Sequence, residues 1–243
     1  PTTPHEARKH LLLWAKHSDR DGGLLEGVMK YPPGVKPEKT LVLIKPDNFS
    51  FPTGRPGNIV DMLSRTGLYI IGFKVLFMGV AQAEKFYGPI LPFLRKKLTE
   101  TAGIRARQIL EKELGFTLPE SSTQKIAKLL GPAYADDQFN QIIQFMTGRR
   151  ADKCPPSLKN EPGTSMSIAM MYEGPDAVRK IREVLGPTDP AKAPPGSIRR
   201  EFGSSIMVNA AHASDSTANA EREARIVDIG ENHFKKVIEN FYS

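Results

Sequence analysis

Apolar and polar positions change period several times along the chain, and the changes mark its elements. Thr40-Leu41-Val42-Leu43-Ile44 is almost continuously apolar, the pattern of a strand buried on both faces. Pro46 to Pro56, with Pro52 and Gly54, reads as a loop. Ile59, Met62 and Leu63 then recur at helical spacing, with Gly67 placed to cap the helix. Leu68 to Met78 is a long β-rich run, and Ala81 to Tyr87 opens another helix. Between Tyr87 and Gly163 the strand signal stops. Helical segments around Ile104 to Leu114, Thr123 to Leu130 and Phe139 to Met146 are separated there by proline and glycine. Strand character returns at Ser165 to Tyr172, followed by a helix from Pro175 to Leu185 and a Pro-rich loop to Arg199. A last strand is predicted at Ser204 to Val208 and a helix at Ser216 to Ile226. With the central helices set aside, strands and helices alternate. That order predicts an α/β (α+β) fold, a ferredoxin-like antiparallel four-stranded sheet with helices packed on one face.

The first 39 residues stand apart as an extension, an arm or a crossover: a short helix over His5 to Lys16, then a Gly- and Pro-rich loop from Asp21 to Pro37. Glu6, Asp19 and Asp21 spoil the acid-poor character of a transit peptide. Residues 40–243 read as one domain, with a helical insertion at about 96–137 and a loop insertion at about 149–162. A chain of 243 residues, 40% hydrophobic and 25% charged, can bury a substantial core and lacks the composition of a disordered or fibrous protein. No apolar run reaches the roughly 18 residues of a membrane span, so no membrane partner is expected. The single cysteine, Cys154, allows no intramolecular disulfide, which favours a reducing compartment, the cytoplasm by default.

The net charge of +7 favours anionic ligands without choosing among nucleotides, nucleic acid and membrane surface. Four of the five histidines, His5, His10, His17 and His233, lie near the ends of the chain, which leaves His212 alone in the patterned body. It sits in Asn209-Ala210-Ala211-His212-Ala213-Ser214-Asp215-Ser216, just after the predicted strand and before a helix with capping residues in its first turn. Such a junction exposes a side chain beside backbone N–H groups that attract anions. Taken alone, His212 could simply pack beneath a helix capped by Ser214 or Ser216. Likewise, Lys45 could be a strand-end lysine, Arg182 and Glu223 solvated helix charges, Thr188 a turn residue and Tyr87 a core aromatic.

Taken together, Lys45, Thr188, Arg199 and His212 fall into an ordered set of motifs, with Tyr87, Arg182 and Glu223 between and after them: Ile44-Lys45-Pro46-Asp47, Leu185-Gly186-Pro187-Thr188-Asp189-Pro190, Pro195-Gly196-Ser197-Ile198-Arg199 and the histidine segment. The sequence thereby resembles the nucleoside diphosphate kinases over about two thirds of its length, in Thr40 to Tyr87 and Ser165 to Ile226. The resemblance implies a ping-pong phosphotransferase. His212 would accept the terminal phosphoryl group of a nucleoside triphosphate and pass it to a nucleoside diphosphate, with Glu223 orienting the imidazole and Ser214 assisting. It further implies that Lys45, Tyr87 and Asn209 reach the terminal phosphate and sugar, and that Arg182, Thr188 and Arg199 hold the other phosphates. Mg2+ would be held mainly by the phosphates rather than by protein ligands. Phe139 and Ile142 are the best match to the residues that sandwich the base, with Phe139 one place off. Homo-oligomers, whether hexamer, tetramer or dimer, are usual in the family. Ala213 stands where the family has glycine; were that residue left-handed, alanine would strain it.

Two other readings stay open. One is a nucleotide-binding regulatory module weakened by Ala213 and the altered base clamp. The other is a nucleic-acid-binding protein using Arg95, Lys96, Lys97, Arg105 and Arg107. It ranks lower because no aromatic-rich stacking sheet is evident.

Overall fold

A computed structural model describes residues 1–19, 27–230 and 232–242. In chain order the elements are α1 (Pro4–His17), β1 (Glu38–Ile44), α2 (Arg55–Ser64), β2 (Tyr69–Phe77), α3 (Val80–Tyr87), α4 (Leu91–Leu114) and α5 (Glu120–Thr147). There follow β3 (Met166–Gly174), α6 (Ala177–Leu185), α7 (Ile198–Phe202), β4 (Ala211–Ala213), α8 (Thr217–Val227) and α9 (His233–Tyr242). They form two compact units, residues 1–76 with 166–243, and residues 77–165. The part of the predicted Asp21 to Pro37 loop over residues 21–26 lies outside the described residues.

In the first unit the sheet has the order β2-β3-β1-β4, the ferredoxin-like arrangement expected from the alternation of elements. β1 runs antiparallel to β3, from Glu38 opposite Gly174 to Ile44 opposite Ile168, and antiparallel to β4, with Leu43 opposite His212. Val42 and Ile44 bury one face of β1 against Ile59 and Leu63 of α2, Ile181 and Leu185 of α6, and Ile198 of α7. By strand alternation Leu41 and Leu43 point the other way. They too are fully buried, and α8 packs against β1. Helices therefore cover both faces, not one, as the unbroken apolar run in β1 requires.

The last strand is displaced from its predicted place. Ser204 to Val208 closes on itself as a turn, Ser204 N and Ser205 N both donating to Val208 O and the Ser205 hydroxyl accepting from Val208 N. Local bonding by the two serines outcompetes extension. β4 is instead the three residues Ala211–Ala213, so His212 lies within a strand and not after one. Among the described residues no helix is long and apolar enough to cross a membrane.

The second unit is helical. α4 begins well before Ile104, and α5 is one helix where two segments were expected, running through Gly131 and Pro132. Proline inside a helix costs roughly 3 kcal/mol, and close packing offsets it here. A Cβ on Gly103 would stand 2.6 Å from Ala127 Cβ, and one on Gly131 2.6 Å from Thr99 Cα, so the two glycines let α4 and α5 meet backbone to backbone. Gly131→Val should therefore overpack the hairpin and destabilise this unit by about 1–3 kcal/mol. Urea unfolding of the full chain, followed by circular dichroism, should show an earlier loss of helix; an unchanged transition would contradict this packing.

Candidate active site

The first unit gathers six of the expected site residues around β4. Leu43 pairs with His212, so the end of β1 delivers Lys45 to the start of β4, where Lys45 N donates to Ala210 O at 2.9 Å. The Lys45 ammonium donates to Met207 O at 2.6 Å and to Asn209 Oδ1 at 2.9 Å. Asn209 uses its amide to hold Thr188 O and Ile206 O, which ties the Pro-rich loop to the same point. From α7 the Arg199 guanidinium donates to Gly186 O at 2.8 Å and to Ala211 O at 3.1 Å, while its Nε is buried without a partner among the described residues.

His212 is oriented by α8. Its Nε2 lies 2.9 Å from Glu223 Oε2, and that oxygen also accepts from the Ser214 hydroxyl at 2.6 Å. The other carboxylate oxygen accepts from Arg222 at 3.1 Å. An ionised carboxylate can only accept, so Nε2 carries the proton and the lone pair of the neutral ring is on Nδ1. The Glu223 side chain is 6% exposed and that of His212 24%, so the carboxylate is enclosed while the ring stays within reach of solvent.

Cations outnumber anions here. Burial pushes the Lys45 ammonium down to about 8, with Asp47 opposing the shift. Burial, and then the charge of Arg182, push Arg199 down to about 10. Arg182 lies exposed on α6, and its side chain makes no hydrogen bond or salt bridge among the described residues. Thr188 is exposed as well. Two arginines whose charges repel, one with an orphaned buried donor, have the chemistry to meet a multiply charged anion. No group of three or more His, Cys, Asp or Glu among the described residues could hold a metal ion.

Tyr87, Phe139 and Ile142 belong to the helical unit. Tyr87 and Phe139 are buried there, Tyr87 with its ring 4.9 Å from that of Phe86, and Ile142 is half-buried.

Sequence reading missed three contributors. Asp47 Oδ2 accepts from Ala210 N at 3.0 Å, and Asn48 donates to Ala210 O at 2.7 Å. Arg222 braces Glu223. Asp47 stood inside a quoted motif, and that was its only signal. The backbone strain is also elsewhere than expected: Ala210, at φ 68°, is the left-handed alanine, and Ala213 is not. A non-glycine residue in that region costs roughly 1–2 kcal/mol, and Asp47, Asn48 and Lys45 N hold Ala210 in it.

The nucleoside diphosphate kinase family model matches residues 121–227. The nucleoside diphosphate kinase of Anaeromyxobacter sp. (strain Fw109-5) is 30% identical over 186 residues, covering 76% of this chain and 86% of that protein. The chain belongs to the nucleoside diphosphate kinase family. A second family member, from Staphylothermus marinus, is 30% identical over 190 residues, covering 78% of this chain and 92% of its own. A crystal structure of the family's Aquifex aeolicus enzyme aligns with a TM-score of 0.49 at 24% identity, over 79% of this chain and 95% of that one.

Proposed function

We propose that the protein is an active nucleoside diphosphate kinase working by a ping-pong mechanism through phospho-His212. One observation carries the reading: a carboxylate fixed on Nε2 of a part-exposed histidine, in the same unit as the cations Lys45, Arg182 and Arg199. Nδ1 would attack the terminal phosphorus of a nucleoside triphosphate. The bond from phosphorus to the bridging oxygen breaks, the diphosphate leaves with that electron pair, and Nδ1 keeps the phosphoryl group until a second diphosphate takes it by the reverse step. Glu223 stabilises the positive charge that grows on the imidazole, and Ser214 and Arg222 hold Glu223 in place. Lys45, Arg182 and Arg199 would spread over the phosphate oxygens, with Asn209 and Thr188 at their flank. Phosphoryl transfer asks mainly for such positioning and charge stabilisation.

Mg2+, when bound, neutralises charge on the phosphates. With no ligand cluster in the described chain, the phosphates themselves would hold it, in keeping with its preference for phosphate and water oxygens. Residues from about 96 to 137 are read as an insertion into the family's core. Edge strand β2 leaves Tyr69, Ile70, Phe73 and Val75 exposed, which supports assembly of copies of the chain into a homo-oligomer.

Initial rates with ATP and a second nucleoside diphosphate test the mechanism. Parallel double-reciprocal lines are expected, because the first product leaves before the acceptor binds; intersecting lines would contradict a phosphoenzyme.

The position of Lys45 adds a pH dependence. Its pKa of about 8 is that of the protein without nucleotide, and a phosphate contact favours the ammonium. Below pH 8 the charge is present. Above it the free protein loses the proton, so binding must restore it. ADP affinity should fall about tenfold between pH 7 and pH 9, with proton uptake at the higher pH. Calorimetry in buffers of different ionisation enthalpy measures both, and a flat affinity without proton uptake would contradict the contact.

A further inference from the structure

Arg199 is carried by a helix that cannot hold itself. α7 spans only five residues, Ile198–Phe202, little more than one turn, and so short a helix persists through its surroundings and not through its own hydrogen bonds. Ile198 anchors its start in the core. Two of its side chains reach back to the loop that precedes it: Glu201 Oε1 accepts from Gly196 N at 2.9 Å, and Arg200 donates to Pro190 O at 3.5 Å. Those two bonds move with the loop and do not fix the helix against the sheet.

The end of α7 is held from a distant part of the chain. Arg55, the first residue of α2, donates from its guanidinium to Phe202 O, 147 positions away. The same guanidinium lies over the Phe202 ring, with Cζ 5.6 Å from the ring centroid, within the range of cation–π attraction. Phe202 O is one of the last carbonyls of α7, which find no donor inside the helix, and a cationic side chain suits it as a cap. Arg55 Nε is buried, so this side chain is packed into the fold and does not trail in solvent.

The tie reaches Arg199 through one further bond. Gly203, directly after the held carbonyl, donates from its N–H to Arg199 O at 3.0 Å. The approach is close, since a Cβ on Gly203 would stand 2.6 Å from that oxygen. Displacing Phe202 would therefore displace the backbone of Arg199, and with it the guanidinium that bonds Gly186 O and Ala211 O.

We propose that Arg55 is a positioning residue of the nucleotide site: by tying the end of α7 to α2 it sets Arg199 for the phosphates. It acts through Arg199 and rests on the reading of that arginine as a phosphate ligand.

A double-mutant cycle between the two arginines tests this, read as the ADP affinity of the full chain by calorimetry. Arg55→Met keeps the packed stem of the side chain and removes its charge and its donors. Arg199→Ala should weaken ADP binding about tenfold or more, the scale of a charge-assisted hydrogen bond. Arg55→Met should weaken it about three- to tenfold. The double variant should bind within about twofold of Arg199→Ala alone, because the tie then has nothing left to position. A purely structural role would instead let the two losses multiply. In the nucleotide-free protein, hydrogen exchange across residues 199–203 should run about tenfold faster in Arg55→Met, as expected of a short helix released at one end. Should Arg55→Met fail to fold, Phe202→Leu, which removes the ring beneath the guanidinium, takes its place in the cycle.

Losses that multiply, or wild-type ADP affinity in a folded Arg55→Met protein, would overturn the proposal and leave Arg199 a phosphate ligand. Unchanged exchange across residues 199–203 would overturn the tie itself. Wild-type affinity in Arg199→Ala would remove the reading of Arg199, and the role of Arg55 with it.

Discussion

His212→Asn should abolish phosphoryl transfer, with a fall in kcat of roughly 10⁵-fold or more, the scale seen when the nucleophile of a covalent mechanism is removed. Asparagine nearly preserves the size of the side chain and can still face Glu223 from β4, but it has no nitrogen lone pair able to attack phosphorus. ADP binding should change by less than about threefold, because the proposed phosphate contacts come from Lys45, Arg182 and Arg199. Measured together, the two quantities discriminate. Loss of turnover with binding retained places His212 in the chemistry, whereas parallel loss of both would make it a structural residue of β4. Retained turnover would transfer the nucleophile's role elsewhere and remove the basis of the proposed function.

Glu223→Ala should give the second largest effect, a drop in kcat of roughly 10²- to 10³-fold, comparable to removing one preorganised electrostatic partner of a transition state. Three donors converge on this carboxylate: His212 Nε2, the Ser214 hydroxyl and Arg222. Its removal frees the ring to rotate, leaves the growing imidazolium without a counter-charge and takes one acceptor from the Arg222 guanidinium. A loss of stability of about 1–3 kcal/mol should accompany the kinetic effect, from the unsatisfied partners. Glu223→Gln distinguishes orientation from charge. The amide oxygen can still accept from Nε2, so a variant close to wild type would show that orientation suffices. A defect near that of Glu223→Ala would show that the charge is needed. Wild-type kcat in Glu223→Ala itself would contradict the role given to the carboxylate.

The elements that were legible in the sequence bury strong periodic faces. β1, β3, α6 and α8 all appeared near their observed limits because apolar residues such as Val42, Ile44, Ile181 and Leu185 repeat at the period of the element that buries them. β4 was misplaced for the opposite reason. Ala211-His212-Ala213 has little intrinsic strand preference, and its extension comes from pairing with Val42, Leu43 and Ile44, which no local pattern announces. α5 crosses Pro132 because Gly131 and Gly103 allow a close approach to α4, a contact between positions far apart in the chain. α9 was overlooked although Phe234, Val237, Ile238 and Phe241 repeat at helical spacing.

The site shows the same division. His212, Lys45 and Arg199 were visible because they sit in short motifs, and Glu223 because it follows the histidine segment by one helix. The device that seats them was not: Asp47 reaches across 163 positions to fix a left-handed Ala210, and nothing local to Asp47 or Ala210 specifies that bond. The strain expected at Ala213 is thus found three residues earlier, where hydrogen bonds from the end of β1 hold it.

The most direct measurement is of the phosphoenzyme itself. The purified chain is mixed with ATP labelled at the terminal phosphate and Mg2+, freed of nucleotide, and divided between acid, base and a nucleoside diphosphate. Close to one label per chain is expected, stable in base, lost in acid, mapped by peptide mass spectrometry to His212 and by phosphorus NMR to Nδ1, and discharged by the diphosphate as the corresponding triphosphate. Absence of label, label on another residue, or a phosphohistidine that no diphosphate can discharge would contradict the account.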